Sequence, residues 1–157
     1  MLNTIFKYLN LSNDYDLILP NLYIGNKNSS QDLNFIKEHN IDLIINCSKN
    51  LKFFELNNIK KLRIPINDNR IFKNYDILKY LDCLDTIEQF RKEKKNVLIH
   101  CHVGSQRSAT ILLLYLMKKL NYSYEEGFNL IKCKRPICFC PINNFNHIFD
   151  TNSLTFS

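Results

Sequence analysis

Val97-Leu98-Ile99-His100-Cys101-His102-Val103-Gly104-Ser105-Gln106-Arg107-Ser108 runs from an apolar, strand-like triplet into a loop bounded by one cysteine and one arginine. An apolar helix pattern follows from Ala109 to Met117. A strand, a tight turn and a helix start together make an anion site. Successive backbone N–H groups converge in the turn, and the positive end of the helix points the same way. A cysteine in that field loses its proton near neutral pH and becomes a nucleophile. Arg107 adds a planar fork that holds two oxygens of a phosphoryl group. The chemistry expected is phosphoryl transfer from a monoester to Cys101, with the loop residues His102, Val103, Gly104, Ser105 and Gln106 and the Arg107 fork binding the phosphate.

The rest of the chain tells where that loop sits. Ile41 to Asn46 reads as a buried strand, and Leu62 to Ile66 as another that ends in Asn67-Asp68-Asn69. Ile77, Leu78, Leu81, Leu84 and Ile87 mark a helix that closes in the charged run Arg91 to Lys95. Val97 to Cys101 is the next strand, and Arg107 to Lys119 the helix after the loop. A further helix starts at Ser123, whose hydroxyl forms a capping box with Glu126. Leu17 to Gly25 is extended around Pro20, Ser29 or Ser30 caps a helix to about His39, and a last helix covers Asn143 to Asp150. Strands alternating with helices predict an α/β layer with a mostly parallel central sheet flanked by helices. Ligands of such sheets bind at the carboxyl ends of the strands, where both Asp68 and Cys101 fall.

The leaving oxygen needs a proton, and the acid that supplies it belongs on a neighbouring loop. Asp68 follows its strand directly, thirty-three positions before the cysteine (101 − 68). Asp76, Asp82 and Asp85 lie on or near a solvated helix face. The competing reading of Asp68 is turn chemistry, for which Asn-Asp-Asn is well suited. Ser108 is placed to hydrogen-bond the Cys101 sulfur and stabilise it as a leaving group. His100 is expected to organise the loop backbone through its ring nitrogens, and His102 to face substrate or solvent.

The 157 residues suit one domain with a single core, and 45% hydrophobic with 23% charged residues is an ordinary globular composition. The longest apolar run, Ile111 to Met117, is far shorter than the roughly 20 residues that span a bilayer. Lys7, Asp14 and Asp16 interrupt any signal-peptide pattern. The expectation is a cytoplasmic protein without a membrane partner. A net charge of +6 draws acidic partners, although a solvated basic face explains it equally well. Cys47, Cys83 and Cys133 read as small core residues. Cys133, Cys138 and Cys140 cluster without a second Cys or His pair at zinc spacing, so no metal and no cofactor is expected.

With these residues placed, the sequence resembles the cysteine-dependent, dual-specificity class of protein phosphatases. The signature His-Cys-x5-Arg-Ser matches at His100, Cys101, Arg107 and Ser108, and Asp68 in Ile64-Pro65-Ile66-Asn67-Asp68 matches the family's general acid. Leu19-Pro20-Asn21-Leu22-Tyr23-Ile24-Gly25 resembles the opening strand, and Arg135-Pro136 with Pro141 and Phe145 resembles the C-terminal segment. The resemblance implies a protein-tyrosine-phosphatase-like fold and a catalytic domain over residues 15–157. It also implies phosphoprotein substrates, hydrolysed at phosphotyrosine and phosphoserine or phosphothreonine.

Leu2, Ile5, Phe6 and Leu9 share one helical face, so residues 1–14 read as an amphipathic helix. Ile5 to Leu11 is similar to the N-terminal helix of the poxviral members. That likeness implies a homodimer through residues 1–12 and a virion as well as cytoplasmic location. Members acting on RNA 5′-phosphates carry Thr-His after the cysteine and Arg-Thr at the loop's end, against His-Val and Arg-Ser here. Members acting on phosphoinositides carry loop lysines, and this loop has none. An RNA 5′-phosphatase, a phosphoinositide phosphatase and a non-catalytic phosphate-binding module are the alternatives; nucleic acid is not the expected partner. Some relatives keep a second cysteine near the loop, which gives Cys47 the role of disulfide partner for oxidised Cys101.

Overall fold

The computed structural model describes residues 12–68 and 79–150. The expected helix over residues 1–14 and its dimer contact lie outside them up to residue 11, as do Asp76, Ile77 and Leu78. Five strands form one sheet in the order β1-β2-β5-β3-β4. They are β1 (Tyr15–Leu19), β2 (Leu22–Gly25), β3 (Ile41–Asn46), β4 (Lys60–Arg63) and β5 (Asn96–His100). Only the β1–β2 hairpin, turning at Pro20-Asn21, is antiparallel; β2–β5, β5–β3 and β3–β4 are parallel. The mostly parallel sheet expected from the strand–helix alternation is therefore the one observed.

The central strands are buried on both faces, which explains their unbroken apolar runs. Val97, Ile99, Leu43 and Ile45 face the larger core, while Leu98, Ile41 and Ile44 face a smaller one with Phe35 and Ile36. The larger core is closed by α2 (Leu81–Lys92), α3 (Arg107–Leu120) and α4 (Tyr124–Lys134), the smaller by α1 (Leu33–Glu38). The capping box at Ser123 and Glu126 is present in both directions.

Several boundaries depart from expectation for local reasons. Strand β4 ends at Arg63 rather than Ile66 because Pro65 has no N–H to continue the ladder. The Ile66 amide instead bonds the Ile64 carbonyl at 2.8 Å. Asp32, not Ser29 or Ser30, caps α1, accepting from the Asn34 and Phe35 amides at 2.9 and 3.2 Å. The two serine hydroxyls are occupied by the Asn26 and Lys27 carbonyls in a preceding 3-10 turn. The expected helix over Asn143 to Asp150 shrinks to a 3-10 turn, Asn146–Ile148. Side chains take its first amides: Asn143 Oδ1 accepts from Phe145, and Gln106 Oε1 from Asn144. Cys133 is exposed rather than a core residue, because it falls on the solvent side of α4; Cys47 and Cys83 are buried.

Candidate active site

Strand β5 delivers Cys101 at its carboxyl end, and the chain turns back into α3 at Arg107. Between them the four carbonyls of residues 102–105 point outward and are each held by other parts of the fold. His102 O accepts from the Lys27 amide (3.1 Å), and Ser105 O from the Phe139 amide (2.8 Å). Gly104 O accepts from Arg135 Nε (2.8 Å) and the Cys138 thiol, and Val103 O from a second Arg135 nitrogen (3.3 Å). In a trans peptide the following N–H points opposite to the carbonyl. The amides of Val103, Gly104, Ser105 and Gln106 are thereby turned into the loop. Gly104 N–H indeed reaches Cys101 Sγ at 3.2 Å.

Gly104 is the residue that permits this turn. Its φ is +72°, and a Cβ there would stand 2.4 Å from the Gly25 carbonyl oxygen at the end of β2.

Cys101 is 2% exposed, and Ser108 Oγ lies 3.2 Å from its sulfur. Burial alone would raise its pKa. The Ser108 hydroxyl and amide, the Arg107 charge and the Gly104 amide outweigh that burial and hold the thiol below its ordinary value. Removing the hydroxyl in Ser108→Ala removes the largest of these acidifying contacts. The acid limb of iodoacetate alkylation at Cys101 then moves to higher pH, since only the thiolate reacts. Hydrolysis of a phosphocysteine slows roughly ten- to a hundredfold for loss of one bond to a charged leaving sulfur. An unmoved limb would show that the hydroxyl does not touch the thiolate.

Arg107 is buried against the loop, and its guanidinium meets Asp68 Oδ2 at 3.3 Å. Asp68 itself is exposed, at the rim of a cleft of about 360 Å³. Cys101, Arg107 and Asp68 line that cleft together, with Val103, Ile137 and Pro141 as its apolar wall. Gln106 pins the wall by donating to the Cys140 and Ile142 carbonyls at 3.3 and 2.9 Å.

His100 closes β5 directly before the nucleophile. Its ring is buried, and neither nitrogen has a hydrogen-bond partner among the described residues. Burial lowers its pKa to about 4, against a weaker pull from the Cys101 main chain, with Arg63 lowering it further. The ring is thus neutral and rests against the Cys101 main chain, and His100 O accepts from the Cys47 amide at 2.7 Å.

Cys47 shares the larger core with Cys101. Burial first, and then the neighbouring Cys101 charge, push its thiol well up. It therefore stands near the nucleophile in its protonated, slowly reacting form. His102 and Val103 project from the loop to solvent. Among the described residues no group of three or more His, Cys, Asp or Glu side chains gathers to hold a metal. No helix among them is long and apolar enough to cross a membrane.

The sequence marks Arg135 only as part of the C-terminal segment and gives it no role at the loop, yet it is 1% exposed and pairs with Asp16 Oδ2 at 2.6 Å. A basic residue closing a helix before a proline reads from sequence as a charge on the helix's negative end. Nothing in that pattern shows it reaching the loop.

A family model described as dual specificity phosphatase, catalytic domain, matches residues 22–152. Dual specificity protein phosphatase 16 of Homo sapiens is 33% identical over 135 residues, covering 85% of this chain and 20% of that protein. Dual specificity protein phosphatase Mpk3 of Drosophila melanogaster is 34% identical over 122 residues, 76% of this chain and 29% of that one. The chain thus spans between about a fifth and a third of the length of these relatives. The solved structure of DUSP15 superposes with a TM-score of 0.78 at 28% identity, over 90% of this chain and 88% of that one. A human protein described as tyrosine phosphatase-like serine/threonine/tyrosine-interacting protein superposes at 0.75 with 23% identity, over 88% and 94%. That last likeness concerns the fold alone, and function is argued from the site.

Proposed function

The chain belongs to the dual-specificity phosphatase family, and on that premise we propose that it hydrolyses phosphotyrosine and phosphoserine or phosphothreonine in proteins through a phosphocysteine. The observation that carries this reading is the meeting, in one cleft, of an acidified Cys101, the Arg107 fork and the Asp68 carboxyl. Arg107 and the inward amides bind the phosphoryl oxygens and supply the positive charge that the transition state needs. Cys101 Sγ attacks phosphorus in line, the P–O ester bond breaks, and Asp68 gives its proton to the leaving oxygen. Water then attacks the phosphocysteine and passes a proton back to Asp68. The S–P bond breaks, and the Ser108 hydroxyl receives the returning charge on sulfur. An entering phosphoryl group competes with Asp68 for Arg107, which frees the carboxyl to reach the leaving oxygen.

Asp68→Asn is expected to slow phosphoenzyme formation from alkyl and phenyl phosphates roughly 10²- to 10⁴-fold, the range for a lost general acid. The loss is smaller with p-nitrophenyl phosphate, whose leaving group needs little help. Rapid-quench rates on both substrates check this, and equal losses on the two would mean that another group is the acid. The absence of lysine among residues 102–106 supports protein over phosphoinositide substrates. A homodimer through residues 1–12 and a cytoplasmic or virion location rest on the sequence of the first residues. Light scattering of the chain with and without residues 1–12 reads the former.

A further inference from the structure

A second hollow, of about 420 Å³, adjoins the catalytic cleft at Asp68 and Arg107, which line both. Its remaining wall includes Lys49, Asn50, Asn67 and His102. Asp68, already paired with Arg107, is the only acid among the described lining residues. Lys49 is exposed and makes no ion pair among the described residues.

The loop that carries Lys49 is held from beneath. Arg63 donates to the Ser48, Lys49 and Leu51 carbonyls at 2.6, 3.3 and 2.7 Å, and its guanidinium lies 4.9 Å from the Phe53 ring centroid. Asn46 accepts from the Ser48 amide and hydroxyl and donates to Leu51 O. Arg63 has no carboxylate partner among the described residues, so its charge adds to that of Lys49. The hollow is thus a preformed, net-positive recess beside the phosphate site.

We infer that this hollow is an accessory subsite for an acidic side chain of the substrate, two residues from the phosphoresidue being hydrolysed. The inference rests on the protein-phosphatase reading above. In an extended peptide, side chains two residues apart share a face and lie about 7 Å apart. One such step carries a side chain from the cleft into the recess that shares its Arg107 wall. The chemistry favours a carboxylate: Arg107 is taken by the phosphoryl group, leaving one ammonium with amide and imidazole donors rather than a second bidentate fork.

The test compares phosphotyrosine peptides bearing Glu or Gln two residues before or after the phosphotyrosine. At one of the two positions the Glu peptide is expected to show a roughly three- to fivefold higher kcat/KM, the range of a partly exposed ion pair. The gain lies in KM and fades at high salt. In Lys49→Gln it disappears, and in Lys49→Glu it reverses, while turnover of p-nitrophenyl phosphate and the melting temperature stay unchanged. Binding of the same peptides to Cys101→Ser, followed by fluorescence anisotropy, gives the ratio independently of turnover. A ratio of one at both positions, or one that survives Lys49→Glu, would overturn the subsite. Loss of turnover on every phosphopeptide with an intact binding ratio would overturn the phosphatase reading alone.

Discussion

Turnover of p-nitrophenyl phosphate by the Cys101→Ser variant is expected to fall by roughly four to six orders of magnitude, the scale for removing the nucleophile of a covalent mechanism. The argument is electrostatic. The loop stabilises an anion on sulfur through the Ser108 hydroxyl and the Gly104 amide, both at 3.2 Å, with Arg107 beside them. A serine hydroxyl is too weakly acidic for the same field to ionise, and so presents no nucleophile. The phosphate-binding amides and Arg107 are untouched, so the variant still binds phosphopeptide. Isothermal titration with a phosphotyrosine peptide should give a dissociation constant within a few-fold of the native KM. Residual turnover within tenfold of the native rate would exclude a phosphocysteine. Loss of binding together with turnover would show instead that the loop needs the thiolate to hold its shape.

Arg135→Ala is expected to destabilise the protein by about 3–5 kcal/mol, the cost of removing one partner of a buried ion pair. The side chain is fully buried, and its loss takes the charged partner from Asp16, the only donor among the described residues from Val103 O, and the shorter of two donors from Gly104 O. Those carbonyls face outward only because something satisfies them there. Without Arg135 the loop gains by turning them toward solvent, which turns the Val103–Gly104 and Gly104–Ser105 amides away from the phosphate. The variant should therefore lose orthovanadate affinity as well as melting temperature. Asp16→Asn separates the two effects: it breaks the ion pair but leaves Arg135 bonded to the loop. It is expected to lower the melting temperature and spare vanadate binding. Equal loss of vanadate binding in both variants would mean that the arginine acts only through global stability.

Much of this architecture was legible in the chain. The apolar runs at 41–46 and 97–99 and the helix pattern after Arg107 mark a two-sided parallel sheet, because strands covered on both faces have no polar alternation to hide. The Cys101–Arg107 spacing marks the loop, because closing a turn around an anion needs local backbone geometry. Ser108 and the Ser123–Glu126 box follow from the same short-range rules. The misreadings, such as β4 running past Pro65 or a full helix over 143–150, arise where a proline or a side chain intercepts backbone groups that the pattern assigns to a ladder.

The sequence by itself determined the reactive loop, the candidate acid and the sheet that carries them, since each is written within a few consecutive residues. Only the tertiary structure decided what keeps the loop's amides pointing inward: Arg135, Phe139 and Lys27 reach its carbonyls from elsewhere in the chain. It alone showed the burial of the His100 ring and Lys49 beside the phosphate cleft. Contacts between residues tens of positions apart leave no periodicity in a sequence, and they exist only once the sheet has brought the strand ends together.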